Sequence, residues 1–112
     1  MCQGKIVFRS DRCVIQLSYN DIIYISSMDH NIFITTADRV FHTRSFTISG
    51  LHKLLSGSGF IRLNRSFIAN TRYIEDVSKN GIGMNGIKDV LPVSRGHVRD
   101  VRKSVNMLRR NE

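Results

Sequence analysis

Tryptophan is absent from this 112-residue chain, proline occurs once, cysteine twice, and aromatic residues make up only 8%. Each shortage excludes something. Cys2 and Cys13 form no CxxC pair, so there is neither a disulfide framework nor a thiolate metal knuckle, and both are read as reduced thiols of a cytoplasmic protein. No apolar run approaches the ~18 residues of a membrane-spanning helix. Met1-Cys2-Gln3-Gly4-Lys5 leads straight into a short strand-like run, without the apolar core of a signal peptide. A cytoplasmic chain with no membrane partner is expected.

Catalytic signatures are missing as well: there is no GxSxG, no P-loop and no HExxH. The acidic residues are scattered, and the adjacent pair Glu75-Asp76 would point to opposite faces of a strand. His30, His42, His52 and His97 lie far apart in the chain with no cysteine near them, a spacing unlike a metal-ligand set. Neither enzymatic activity nor a cofactor is expected.

The most telling shortage is of negative charge. Between Asp38 and Glu75 there is no acidic residue, while that window holds Arg39, Arg44, Lys53, Arg62, Arg65 and Arg72, with His42 and His52. A second basic group, Arg95, Arg99, Arg102, Lys103, Arg109 and Arg110, closes the chain, and the net charge is +8. Such a one-signed field costs stability by self-repulsion and favours a polyanionic partner: DNA, RNA or an anionic membrane surface.

With 41% hydrophobic and 23% charged residues, the chain has the composition of one globular domain over 1–112. Short runs of alternating or β-branched character predict strands at Lys5–Arg9, from Cys13 to Leu17, at Ile22–Ile25, Asn31–Thr36, Arg39–Thr43 and Tyr73–Lys79. Asn80-Gly81 and Asn85-Gly86 are hairpin signals, so Ile82–Met84 and Ile87–Leu91 are expected to complete a meander that Pro92 ends. The period changes at Ile48, Leu51 and Leu55, with Leu54 widening the stripe, which predicts one short helix from Ile48 to Ser56. Ser94 as N-cap, with Val98, Val101, Val105 and Leu108 as an apolar stripe, predicts a C-terminal helix. The fold class is mostly β, with strands packed as small sheets or a partly open barrel.

The stretch Phe60-Ile61-Arg62-Leu63-Asn64-Arg65-Ser66-Phe67-Ile68-Ala69-Asn70 organises this pattern. Apolar residues flank a wholly polar Asn64-Arg65-Ser66, so the centre reads as a tip held by core on both sides, with Leu63 and Ile61 buried. Two other polar breaks between apolar runs, Met28-Asp29-His30 and Ser94-Arg95-Gly96, have the same character. His, Asn and Arg donate to base edges in the major groove. Arg95 at a helix N-terminus opposes the helix dipole, which suggests a partner elsewhere. The tyrosines and phenylalanines mostly fall within apolar strand patterns rather than on an exposed stacking platform, which disfavours single-stranded RNA.

Asp21-Ile22-Ile23-Tyr24-Ile25, Asp29-His30, the stretch from Phe60 to Asn70, Tyr73-Ile74 and Leu91-Pro92-Val93-Ser94-Arg95, in that order, resemble the LytTR DNA-binding domain. This is the effector domain of AlgR/AgrA/LytR-type bacterial response regulators. The resemblance runs from about Lys5 to Val105. It implies small β-sheets in an elongated β-β-β sandwich, with one short inner helix and a C-terminal helix. It also implies that loops, not a recognition helix, enter successive major grooves and bend the duplex. The base-reading positions then fall on His30, Arg65 and Arg95. Asn31, Arg62, Asn64, Ser66 and Ser94 are expected to hold phosphates or assist, and Arg44 and Arg72 to touch the DNA backbone. The implied partner is double-stranded DNA carrying imperfect direct repeats, with a homodimer as a compatible arrangement on it. Asn64 stands where many members have histidine, and Ala69 where many have valine. The competing reading is a basic β-domain that serves as a protein-interaction or sequestering module.

Overall fold

The computed structural model describes residues 4–78, 81–94, 97, 99, 101 and 103. In chain order the elements are β1 (Lys5–Ser10), β2 (Cys13–Ser18), a 3-10 turn (Tyr19–Asp21), β3 (Ile22–Met28), β4 (Asn31–Thr36) and β5 (Val40–Thr43). The helix α1 (Ile48–Leu55), β6 (Phe60–Asn64), β7 (Phe67–Asn70), a second 3-10 turn (Thr71–Tyr73), β8 (Ile74–Ser78) and β9 (Gly81–Met84) follow.

The central sheet has five strands in the order β5-β4-β3-β7-β6, and β1-β2 and β8-β9 form separate two-stranded sheets. All pairings are antiparallel. The central sheet is covered on both faces, which explains why its strands are apolar rather than strictly alternating. One face packs Ile25, Ile34, Phe60 and Ile68 against Ile6 and Phe8 of β1 and Leu51 and Leu55 of α1. The other packs Ile23, Leu63 and Ala69 against Ile82 and Met84 of β9, Leu91 and Val101. The run Ile22-Ile23-Tyr24-Ile25 serves both cores because strand residues alternate between faces, and the β3–β4 register shifts within it, between Ile22 and Tyr24. The bulge puts the successive residues Ile23 and Tyr24 on the same side, so Ile22 and Ile25 both return to the first core.

The helix starts at Thr47, whose Oγ1 accepts the amide of Gly50 at 3.0 Å. It is followed by Gly57 at φ 85°. Leu51 and Leu55 are fully buried, but Leu54, expected to widen the apolar stripe, is 49% exposed. Only the face carrying Leu51 and Leu55 turns fully into the core.

Two further expectations change. Ile87–Leu91 is not a strand. The chain turns at Gly86, where φ is 85°, and returns to β9 only as the single bridge Ile82↔Leu91, with both backbone bonds at 2.8 Å. Lys88, Asp89 and Val90 are exposed, so nothing offers this segment a second apolar face to pack on. The approach of Leu91 depends on Gly81, since a Cβ there would lie 2.2 Å from the Leu91 carbonyl oxygen. The C-terminal helix expected from Ser94 onward falls mostly outside the described residues. No helix among the described residues is long and apolar enough to cross a membrane.

Candidate nucleic-acid interface

The β3–β4 connection is a two-residue turn, Asp29-His30, with φ of 49° and 67°, closed by the pair Met28↔Asn31. Positive φ is uncommon for residues other than glycine, although Asp and His tolerate it better than most. The turn is held from behind. Asn31 Nδ2 donates to the Asp29 carbonyl at 3.1 Å, and Asn31 Oδ1 lies 2.7 Å from His42 Nε2. An amide oxygen only accepts, so His42 carries its proton on Nε2. The His42 ring also stacks on Phe33, with centroids 5.3 Å apart. Asn31 and His42 thereby orient the turn, and the exposed His30 side chain has no hydrogen bond among the described residues.

The β6–β7 connection is built more rigidly. The ladder shifts register between Arg62 and Asn64, a bulge centred on Leu63, which is 0% exposed, while Ile61 is only partly buried beside it. Asn64 Oδ1 accepts the Ser66 amide at 2.7 Å, a side-chain turn that fixes the tip. Arg62 does not project outward as expected. Its Nε donates to the Asn64 carbonyl and its Nη2 to the Arg65 carbonyl, both at 3.1 Å, and its Nη1 reaches Ser49 Oγ on α1 at 3.4 Å. Three of its five donors are thus used within the chain. Arg65 is exposed, and its guanidinium has no partner among the described residues.

Three backbone or side-chain bonds gather the connections. The Ser27 amide donates to the Ser66 carbonyl at 2.9 Å, which sets the His30 turn beside the Arg65 tip. Asn64 Nδ2 donates to the Pro92 carbonyl at 2.7 Å, and the Ser94 amide to the Leu63 carbonyl at 2.9 Å. These tie residues 92–94 to the same tip. Ser94 Oγ lies 2.5 Å from His97 Nδ1. Arg95 lies outside the described residues.

The sheet register sorts the remaining candidates. Ile32 pairs with Thr43, so Arg44 leaves β5 at the end of the sheet that carries Asp29-His30. Phe60 pairs with Asn70, so Arg72 follows β7 at the opposite end. Asn70 itself is buried there, with its Nδ2 on the Ile22 carbonyl at 2.8 Å and its Oδ1 on the Arg72 amide at 3.1 Å. The structure therefore brings His30, Asn31, Arg44, Arg62, Asn64, Arg65, Ser66 and Ser94 to one end and leaves Arg72 apart. His52 of α1 stands behind this end. Burial, then the charges of Arg62 and His97, lower its pKa.

Sequence reasoning missed the part His42 plays in holding the turn, because His42 acts across the β4–β5 ladder and the local pattern holds no sign of it.

A family model described as the LytTr DNA-binding domain matches residues 12–106. The sensory transduction protein LytT of Bacillus subtilis (strain 168) is 31% identical over 111 residues, covering 94% of this chain and 45% of that protein. The protein of the same name from Bacillus anthracis is 28% identical over 105 residues, 88% of this chain and 42% of that protein. The chain thus spans less than half the length of these curated relatives. A solved LytTr DNA-binding domain from Bacillus cereus superposes with a TM-score of 0.78 at 18% identity, covering 92% of this chain and 97% of that one. At that identity the likeness is one of fold.

Proposed function

The chain belongs to the LytTr DNA-binding domain family, and from that premise we propose that it is a sequence-specific, duplex-DNA-binding regulator of transcription that works in the cytoplasm. It reads bases in the major groove with loop side chains, and its role is binding rather than catalysis. The observation that carries this reading is the bonding of the connections into one end of the central sheet, through Ser27–Ser66, Asn64–Pro92 and Leu63–Ser94.

At that end the polar residues divide into two kinds. Asn31, Arg62 and Asn64 spend their side chains on the frame. His30 and Arg65 project, and Arg65 offers the planar fork that grips guanine O6 and N7. Arg95 is proposed as the third reader. Arg44 and the net charge of +8 supply attraction to phosphate. Neutralising phosphates on the face that meets the protein leaves the far face self-repelling, so the duplex is expected to bend toward the sheet end. Tips carried on a rigid frame suit successive grooves of one duplex face. Imperfect direct repeats in the target, each repeat taken by one copy of the domain, agree with that arrangement.

The test is selection from a random duplex pool, with an RNA pool in parallel, followed by gel shifts against unrelated competitor. Enrichment of a duplex motif with separated required positions is the expected result. Retention of neither pool, with capture of an acidic protein instead, would replace this reading with that of an interaction module.

A further inference from the structure

A cleft of about 380 Å3 opens between the end of β1 and the end of β5, lined by Arg9, Asp11, His42, Thr43, Arg44 and Ser45. We propose that it seats one backbone phosphate of the duplex, gripped jointly by Arg9 and Arg44. The proposal rests on the DNA-binding reading above and adds a site, apart from the tips, where the β1-β2 sheet meets strand β5 of the central sheet.

The cleft has a fixed frame. Thr43 is 2% exposed, and its Oγ1 donates to the Arg9 carbonyl at 2.7 Å while accepting the Ser45 amide at 3.1 Å. One buried hydroxyl therefore pins the two arginine-bearing segments to each other. Arg9, Arg44 and Ser45 are exposed at the rim. Neither guanidinium has a hydrogen bond or ion pair among the described residues, although Asp11 lines the same cleft. Two guanidinium charges against one carboxylate leave the cleft with an excess of positive charge, which an anion would neutralise. A phosphate suits it, since guanidinium presents parallel N–H donors to tetrahedral oxyanions and Ser45 adds a hydroxyl.

Position selects a duplex phosphate over a small free anion. The donors stand at the rim rather than in an enclosed pocket, so they suit a phosphate already held nearby by other contacts. His42 lines the cleft and also bonds Asn31, the residue that holds the Asp29-His30 turn. The phosphate site and the His30 turn thus share one side chain. A phosphate bound here would lie beside the groove that His30 enters, and would set the register of that reader.

The experiment compares wild type, Arg9→Gln, Arg44→Gln and the double variant on the selected duplex over a range of salt, with thermal melts to confirm folding. Because one phosphate is shared, the double variant should lower the slope of log K against log salt by about 1, not about 2. Its affinity at moderate salt should fall roughly tenfold with base preference unchanged. A duplex with one uncharged methylphosphonate flanking the His30 contact should bind wild type correspondingly weaker and the double variant no weaker than the unmodified duplex. Unchanged affinity and slope in the double variant, or additive single effects summing to a slope change of about 2, overturn the shared site alone. Failure of the wild type to bind any duplex overturns the DNA-binding reading and the site with it.

Discussion

Asn64 joins two loops that are 28 residues apart in sequence. Its Oδ1 takes the Ser66 amide and its Nδ2 donates to the Pro92 carbonyl, both at 2.7 Å. Removing the side chain frees one donor in its own turn and one acceptor in the other loop. Asn64→Ala is expected to cost about 1 to 2 kcal/mol of folding stability, as two partly exposed hydrogen bonds do, measured by denaturant unfolding. Asn64→Asp keeps the turn but sets a carboxylate against the Pro92 carbonyl. It should loosen residues 92–94 while leaving 64–66 intact, which hydrogen exchange at the Ser66 and Ser94 amides can distinguish. Equal protection at both sites in that variant would refute the separation.

Arg65 carries no structural bond through its side chain, so its loss should not affect folding. Arg65→Ala should lose about 1 to 3 kcal/mol on the selected site, much less on random DNA, and relax one base position only. Arg65→Lys should keep the attraction to phosphate without restoring selectivity, because a point charge lacks the bidentate geometry. Single-base variants of the site measured with all three proteins test this. A uniform loss across every variant would make Arg65 a backbone contact and move specificity to DNA shape.

With on the order of five phosphates neutralised, the wild-type slope of log K against log salt should be about −4 to −5. Arg72, at the far end of the central sheet, should contribute nothing to it. A salt titration of Arg72→Ala that flattens the slope by about 1 would place DNA at both ends of the sheet.

Leu63 is fully buried in the second core directly behind the tip. Leu63→Ala should cost ~2 to 5 kcal/mol, the usual range for a buried leucine. Binding per folded molecule, measured well below the melting temperature, should change far less than stability does. A large affinity loss in fully folded protein would mean that the tip is not rigid.

His52 predicts a pH effect on stability. Its folded pKa lies below its ordinary value of 6.5, so the unfolded chain binds this proton more readily. Stability is therefore fully present above the ordinary value and falls as pH drops through it, until the folded form is protonated too. His52→Gln should flatten the melting temperature against pH between about 7 and 5. Parallel curves for the two proteins would remove His52 as the cause.

Much of this architecture is legible locally. Thr47 and Gly57 bracket α1, and the polar breaks at Asp29-His30 and Asn64-Arg65-Ser66 are true connections. What is illegible depends on pairing between distant segments. Arg44 and Arg72 look alike in sequence, and only the strand order β5-β4-β3-β7-β6 and its registers put one beside His30 and the other away from it. Arg62 reads as a ligand-facing cation because composition cannot reveal that neighbouring carbonyls take its donors. Ile87–Leu91 has β-branched residues and a hairpin signal before it, but lacks a covered second face.

The division of labour at the sheet end bears on how such a domain changes its target over evolutionary time. The connections are joined by backbone groups and Asn64 and steadied by Asn31 and Arg62, not by the projecting side chains of His30 and Arg65. A substitution at either projecting position alters what is recognised without disturbing the frame that presents it. Preference at one base can then drift while the spacing between required bases stays fixed. Duplicated copies of this gene would be expected to diverge first in the letters they read and only much later in the distance between them.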